Sequence, residues 1–190
     1  MELLEQAILK KGKVLKGDVL KVDGFLNHRI DVDLMVEMGK YVYEYFKTAG
    51  VTEILTVEAS GIAFASLTAQ FFHCPVLFAK KSRSSNLGEG VITATAKSYT
   101  HGTVNTIMVS NDYISKTDKV LIVDDFLATG EAAYALKTIV EKSGAQLVGF
   151  VSAIEKGYQG GGDKLRKDGV DVLSLAIVDK MDNNGIVFRK

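Results

Sequence analysis

The chain has a single cysteine, Cys74, and a single proline, Pro75. One thiol excludes an intrachain disulfide and any cysteine-based metal cluster. Cys74, beside Pro75 and ahead of an apolar strand, reads as buried and inert. No uninterrupted apolar run reaches membrane-spanning length, so no membrane partner is expected. The opening MELLEQAILKKGK lacks a long apolar core ahead of a small-residue cleavage site, so no signal peptide is expected and the reading is a soluble, cytoplasmic protein. Neither sign of charge is in excess: 23 Lys plus Arg face 23 Asp plus Glu. A dedicated nucleic-acid surface would leave a basic surplus, so no nucleic-acid partner is expected. The three histidines, His28, His73 and His101, have no ligand spacing, and none is read as a metal ligand. There is no G-x-x-x-x-G-K-[ST] and no G-x-G-x-x-G opening a helix, which removes the P-loop and the dinucleotide fingerprint. Repeats, low-complexity tracts and Pro/Gly linkers are also lacking.

What is present is a chain of 190 residues, 47% hydrophobic, enough to bury a sizeable core. Leu3, Leu4, Ala7 and Ile8 predict one face of a short N-terminal helix ending near Gly12. Residues 13–30 alternate loosely and predict short strands and loops, with turns at Gly17 and Gly24. DVDLMVEMGKYVYEYFKTAG predicts a helix capped by Asp31 or Asp33, with Gly50 beyond its end. TEILTVE, PVLFAKK, VNTIMVS, KVLIVDD, AQLVGFVSAIE and VDVLSLAIVDKM predict strands. GIAFASLTAQFFHC and GEAAYALKTIVEKSG predict helices between them. GVITATAKSYT is a candidate hairpin partner for VNTIMVS. Strand and helix alternate through the middle, and the strands are near-continuous apolar runs. That pattern predicts one α/β domain over 1–190, a mostly parallel sheet flanked by helices. Its core spans about 31–154, with segments 1–30 and 155–190 added around it.

The most informative stretch is Val120 to Ala133, VLIVDDFLATGEAA. An apolar strand runs into two adjacent acids, then a small loop, then a helix. Ligands in open α/β sheets bind at the carboxyl ends of strands. The amides of Ala128, Thr129, Gly130, Glu131 and Ala132 form a helix N-terminus, which suits a phosphate. Gly130 and Ala128 allow close approach, and the Thr129 hydroxyl adds a donor. Asp124 and Asp125 accept hydrogen bonds and repel phosphate, so they suit hydroxyls beside it. A ribose 5-phosphate has that layout. A single Asp here would read as a helix cap; two favour the ligand.

This stretch resembles the signature of type I phosphoribosyltransferases, which bind phosphoribosyl pyrophosphate (PRPP). The resemblance implies their fold: a mostly parallel twisted sheet flanked by helices, with a small hood built from the N- and C-terminal segments. TVEASGIAFAS resembles the family's pyrophosphate loop, placing Ala59, Ser60 and Gly61 on the leaving diphosphate. The polar stretch from Ser82 to about Thr103 is long enough for a lid. The family has a mobile loop there, and Lys80, Lys81 and Arg83 offer it charge, with Tyr99 farther along. Hypoxanthine-guanine members carry an Asp before the Thr-Gly, in a general-base role. Here that position is Ala128, so no general base is assigned and the catalytic residue is left unknown.

Lys156, after the strand AQLVGFVSAIE, can donate to a carbonyl oxygen, and purine enzymes of the family use such a lysine to read O6. Phe126 can lie flat against a base. The run DVLKVDGFLNHRIDVDLM, with KSRSSNLGEG, is similar to bacterial members that act on xanthine. That resemblance places Leu20 and Asn27 in the hood against the base, Asn27 reading its 2-oxo edge. It implies transfer of phosphoribosyl from PRPP to xanthine, giving xanthosine 5′-monophosphate and diphosphate. It also implies Mg²⁺ bound through PRPP, reached by Asp124 and Asp125 directly or via water, no organic cofactor, and a homodimer. Xanthine loses a proton readily, so no strong protein base is required. The alternatives are a guanine/hypoxanthine enzyme and a PRPP-sensing regulatory protein of the same fold.

Overall fold

The sheet order is set by where each apolar run finds a parallel neighbour. The computed structural model describes residues 1–16, 18–81, 90–97, 104–182 and 185–190. In chain order the elements are α1 (Glu2–Lys11), β1 (Lys13–Leu15), β2 (Val19–Lys21), α2 (Val32–Phe46), β3 (Glu53–Val57), α3 (Gly61–Phe72), β4 (Val76–Ala79), β5 (Val91–Lys97), β6 (Val104–Ser110), β7 (Lys119–Leu127), α4 (Glu131–Ser143), β8 (Gln146–Lys156), α5 (Gly161–Lys167), β9 (Val172–Asp182) and β10 (Gly185–Phe188). Six strands form the main sheet in the order β10-β9-β8-β7-β3-β4. All its pairings are parallel except β9 with β10. β1 and β2 form a small antiparallel hairpin, as do β5 and β6.

Both faces of the sheet are covered, as the continuous apolar strands require. On one face Leu121, Val123 and Val151 pack with α1, α2, α3 and the N-terminal hairpin. On the other, Val120, Ile122 and Phe150 pack with α4, Leu165 of α5, and Ile92, Ile107 and Val109 of the β5–β6 hairpin. Each fully buried Leu, Ile or Phe contributes about 1.5–3 kcal/mol through area removed from water. Asp31 caps α2, its carboxylate accepting from the Leu34 amide at 3.3 Å, while the alternative Asp33 lies within the first turn. Leu4, Ala7 and Ile8 are buried as expected, but Leu3 is 46% exposed. Its position, one residue before Leu4, rotates it about 100° off the buried stripe.

Three elements depart from expectation. β7 does not stop at the acids. It pairs with β8 through Asp124–Ser152, Phe126–Ile154 and Leu127–Glu155, so the acid pair lies inside the strand. α5 carries one apolar side chain, Leu165, and β10 is only four residues long, too short to show a period. Cys74 is half-buried rather than buried as expected, and partial burial with the nearby Glu53 carboxylate pushes the thiol up to about 11, which makes it a poor nucleophile.

Candidate active site

The order β4-β3-β7-β8 fixes where a ligand can enter. The chain leaves β3 through α3 to reach β4 on one side, and leaves β7 through α4 to reach β8 on the other. α3 and α4 therefore cover opposite faces. The point between β3 and β7 is the topological switch of the sheet, where such folds open a crevice. The pairing shows the opening. β3 and β7 are joined only as far as Leu55–Ile122. Beyond that, β3 continues against β4 to Val57–Ala79 and β7 against β8 to Leu127–Glu155.

Two strand-to-helix loops face this crevice. After β7, Ala128 and Thr129 lead to Gly130, whose φ of +91° is the left-handed region that favours glycine. The first closing bond of α4 runs from the Tyr134 amide to the Gly130 carbonyl at 2.8 Å. The amides of Glu131 and Ala132 precede it and have no carbonyl within the helix to meet. The Ala128 carbonyl is taken by the Gly161 amide at 3.1 Å, which ties this loop to the start of α5. After β3, Glu58, Ala59 and Ser60 lead directly into α3 at Gly61. A Cβ at Gly61 would lie 2.2 Å from Thr56 Oγ1 and 2.6 Å from Asp124 Oδ1, so only glycine lets the start of α3 lie this close to β3 and β7. Among the described residues, Thr56 Oγ1 is one of two buried side-chain oxygens and nitrogens with no hydrogen-bond partner.

The acids sit in the crevice and are almost fully enclosed, Asp124 4% and Asp125 6% exposed. Burial, then the charge of Asp125, raise the Asp124 carboxyl well above the usual range, against the favourable pull of the Asp125 amide and of Lys81. Asp124 Oδ1 accepts from that amide at 3.0 Å. Asp125 Oδ2 accepts from Asn27 Nδ2 at 3.0 Å. A residue expected over the base is thus in contact with an acid expected on the ribose. Across the crevice, Glu58 Oε1 accepts from the Lys81 amide at 2.7 Å, which fixes the start of the segment expected to be a lid. Arg83 and Tyr99 lie outside the described residues.

The remaining expected residues lie on β8, β2 and β7. Lys156 is the last residue of β8, and its ammonium donates to the Asp18 carbonyl at 2.6 Å. Leu20 is 5% exposed at the centre of β2. Phe126 is partly buried against the same core cluster as Leu20. Sequence reasoning missed Asp18, Glu58 as an anchor for Lys81, and Thr56. The one signal for Asp18 was its place in a Gly-Asp turn. A cavity of about 430 Å³ lies along edge strand β4, lined by Glu53, Val76, Phe78, Lys80, Ser110 and Tyr113 among others, and of the residues expected at the site its lining includes Lys80 but neither acid and neither loop. Among the described residues, no cluster of three or more His, Cys, Asp or Glu side chains could hold a metal ion.

A sheet opened at its switch point, with two anion-type loops and an acid pair between them, has the layout of a phosphoribosyltransferase. The fold is that of adenine phosphoribosyl transferase from Trypanosoma brucei, a complex with AMP, pyrophosphate and ribose-5-phosphate. The likeness has a TM-score of 0.79 at 18% identity and covers 96% of this chain and 82% of that one. Residues 34–189 match the model of the phosphoribosyl transferase domain, and the chain belongs to that family. It is 51% identical to the xanthine phosphoribosyltransferase of Ruminiclostridium cellulolyticum, over all of both chains. It is 47% identical to that of Alkaliphilus metalliredigens, over 100% of this chain and 94% of the relative.

Proposed function

We propose that this protein transfers the 5-phosphoribosyl group of PRPP to N9 of xanthine, releasing diphosphate and forming xanthosine 5′-monophosphate. The observation that carries the phosphoribosyl part is the switch-point crevice, with loops at Ala59–Gly61 and Ala128–Ala132 on either side of buried Asp124 and Asp125. The choice of xanthine rests on the whole-chain similarity to relatives of that name.

In this reading Ala128, Thr129, Gly130, Glu131 and Ala132 hold the 5-phosphate on backbone donors at the start of α4. Asp124 and Asp125 accept from the ribose 2- and 3-hydroxyls. Ala59, Ser60 and Gly61 hold the diphosphate, and Lys81 with Arg83 brings charge over it. Phe126 and Leu20 pack on the base, Lys156 donates to O6, and Asn27 reads the 2-oxo edge. Bond breaking at C1 builds positive charge on the ribose, and the buried carboxylates face it in a low-dielectric crevice. N9 then takes C1, the C1–oxygen electron pair leaves with diphosphate, and the N9 proton passes to water.

Mg²⁺ takes hard oxygen donors and keeps several waters. Two carboxylates fit an ion carried in on the substrate and do not form a protein cage. Asp124 and Asp125 would hold it directly or through water, and the ion would neutralise charge on the diphosphate. The proposal includes a homodimer acting in the cytoplasm, with segments 1–30 and 155–190 serving as the hood. No helix among the described residues is long and apolar enough to cross a membrane.

The test is nucleotide formation by the purified protein with PRPP, Mg²⁺ and each of xanthine, guanine, hypoxanthine and adenine. A xanthine kcat/KM at least about tenfold above the next base is expected, the size of one well-placed polar contact. Preference for guanine or hypoxanthine would keep the crevice and remove Asn27 as the reader of the 2-oxo edge. PRPP binding without turnover of any base would favour a regulatory protein.

A further inference from the structure

One residue outside every role above gathers three donors from the end of β8. Asp18 lies in the turn between β1 and β2, with a left-handed φ of +64° that few non-glycine residues adopt. Its carbonyl accepts from Lys156 Nζ at 2.6 Å. Its carboxylate accepts from Tyr158 Oη at 2.7 Å on one oxygen and from Gln159 Nε2 at 2.6 Å on the other. Burial and this carboxylate push the Tyr158 hydroxyl well up from its ordinary value, so it stays a donor at every working pH.

The hairpin that carries Asp18 cannot hold itself in place. Each strand has three residues, and a two-stranded hairpin of that size is marginal in water. Lys13, Leu15, Val19 and Lys21 all point outward, so Leu20, with help from Val14, is the hairpin's anchor in the core. The tip is held by Asp18. Leu20 is two residues along the chain from it, and Lys156 is bonded to it.

We propose that Asp18 is a positioning residue for the base subsite, fixing Leu20 through the hairpin and Lys156 through its ammonium at the same time. The proposal rests on the reading that Leu20 and Lys156 contact an oxopurine. Lys156 has three N–H donors. The bond to the Asp18 carbonyl occupies one and fixes where the ammonium lies, leaving the others for a ligand. The carboxylate keeps that carbonyl in place by holding the turn against Tyr158 and Gln159.

The test separates the carboxylate from the backbone strain. Asp18→Gly accepts a left-handed φ freely, so it removes the carboxylate without adding strain. Asp18→Asn tolerates the same φ and keeps one acceptor. In steady-state kinetics on the full chain, Asp18→Gly is expected to raise KM for xanthine about tenfold, the loss of a charge-assisted contact, with kcat and KM for PRPP near wild type. Asp18→Asn is expected to restore most of the difference. An unchanged xanthine KM in active Asp18→Gly, an equal rise in PRPP KM, or a lower Tm with unchanged kinetics would overturn the role of Asp18 alone. Lack of oxopurine turnover by the wild type would instead overturn the functional reading beneath it.

Discussion

Asp125→Ala is expected to lower kcat/KM about ten- to a hundredfold, chiefly through KM for PRPP. A carboxylate that accepts a ribose hydroxyl bond contributes about 1.5–3 kcal/mol, and each 1.36 kcal/mol is tenfold in rate. In the free protein the same change leaves Asn27 Nδ2 without its acceptor, so the loss extends to the base side of the site. Asp124 should respond differently on stability. Its carboxyl is raised above its unfolded value by burial and by the Asp125 charge. Its favourable contribution is therefore full below the unfolded pKa and disappears as pH rises. Asp124→Asn keeps the Oδ1 acceptor for the Asp125 amide. It should raise Tm at pH 8, lose that gain as pH falls toward the ordinary carboxylate range, and still lower activity. Thermal melts across pH beside steady-state kinetics check both halves. Wild-type kinetics in Asp125→Ala would remove the acid pair from the substrate.

Gly61→Ala is the second large effect. Its new methyl would meet Thr56 Oγ1 at 2.2 Å and Asp124 Oδ1 at 2.6 Å, distances that real Cβ contacts do not show. Thr56 is fully buried and β-branched, so its χ1 is restricted and it retreats only at a cost. The start of α3 must move instead, carrying the Ala59–Ser60 loop away from the crevice. Overpacking of this kind costs about 1–3 kcal/mol. At about 2–4 °C per kcal/mol for a chain of this size, Tm should fall by several degrees. Activity should fall further, about a hundredfold in kcat/KM, because a displacement near 1 Å at a reacting group has that effect. Product inhibition by diphosphate should weaken in parallel. Full diphosphate affinity in Gly61→Ala would show that this loop does not hold the leaving group.

Most of the frame was legible in the sequence because it depends on local rules. The apolar runs around Leu55, Ile122 and Val151 could only be buried parallel strands. Asp31 and Asp33 ahead of an amphipathic run marked a helix start, and the structure chose Asp31 as its cap. The motif at Asp124–Ala132 carried both loop and acids in one stretch. The reach of β7 to Leu127 was not legible, because it is set by pairing with β8 rather than by anything between Asp124 and Leu127. Leu3 was misjudged because five apolar residues in ten fit more than one helical face until the sheet chooses one. Contacts between distant segments were the least legible. The meeting of Asn27 with Asp125 spans 98 positions, and that of Asp18 with Tyr158 spans 140. Neither has a local pattern. Each follows from the N-terminal hairpin folding over strand ends that the sheet brings together.

The central claim is that one ligand bridges both loops across the β3–β7 opening. Amide chemical shifts measured during titration of the free protein with PRPP and Mg²⁺ test it directly. The account predicts that the amides of Ala59–Gly61 and of Ala128–Ala132 move together and saturate at one shared Kd. Perturbations confined to one loop, or centred on the cavity beside β4, would contradict it.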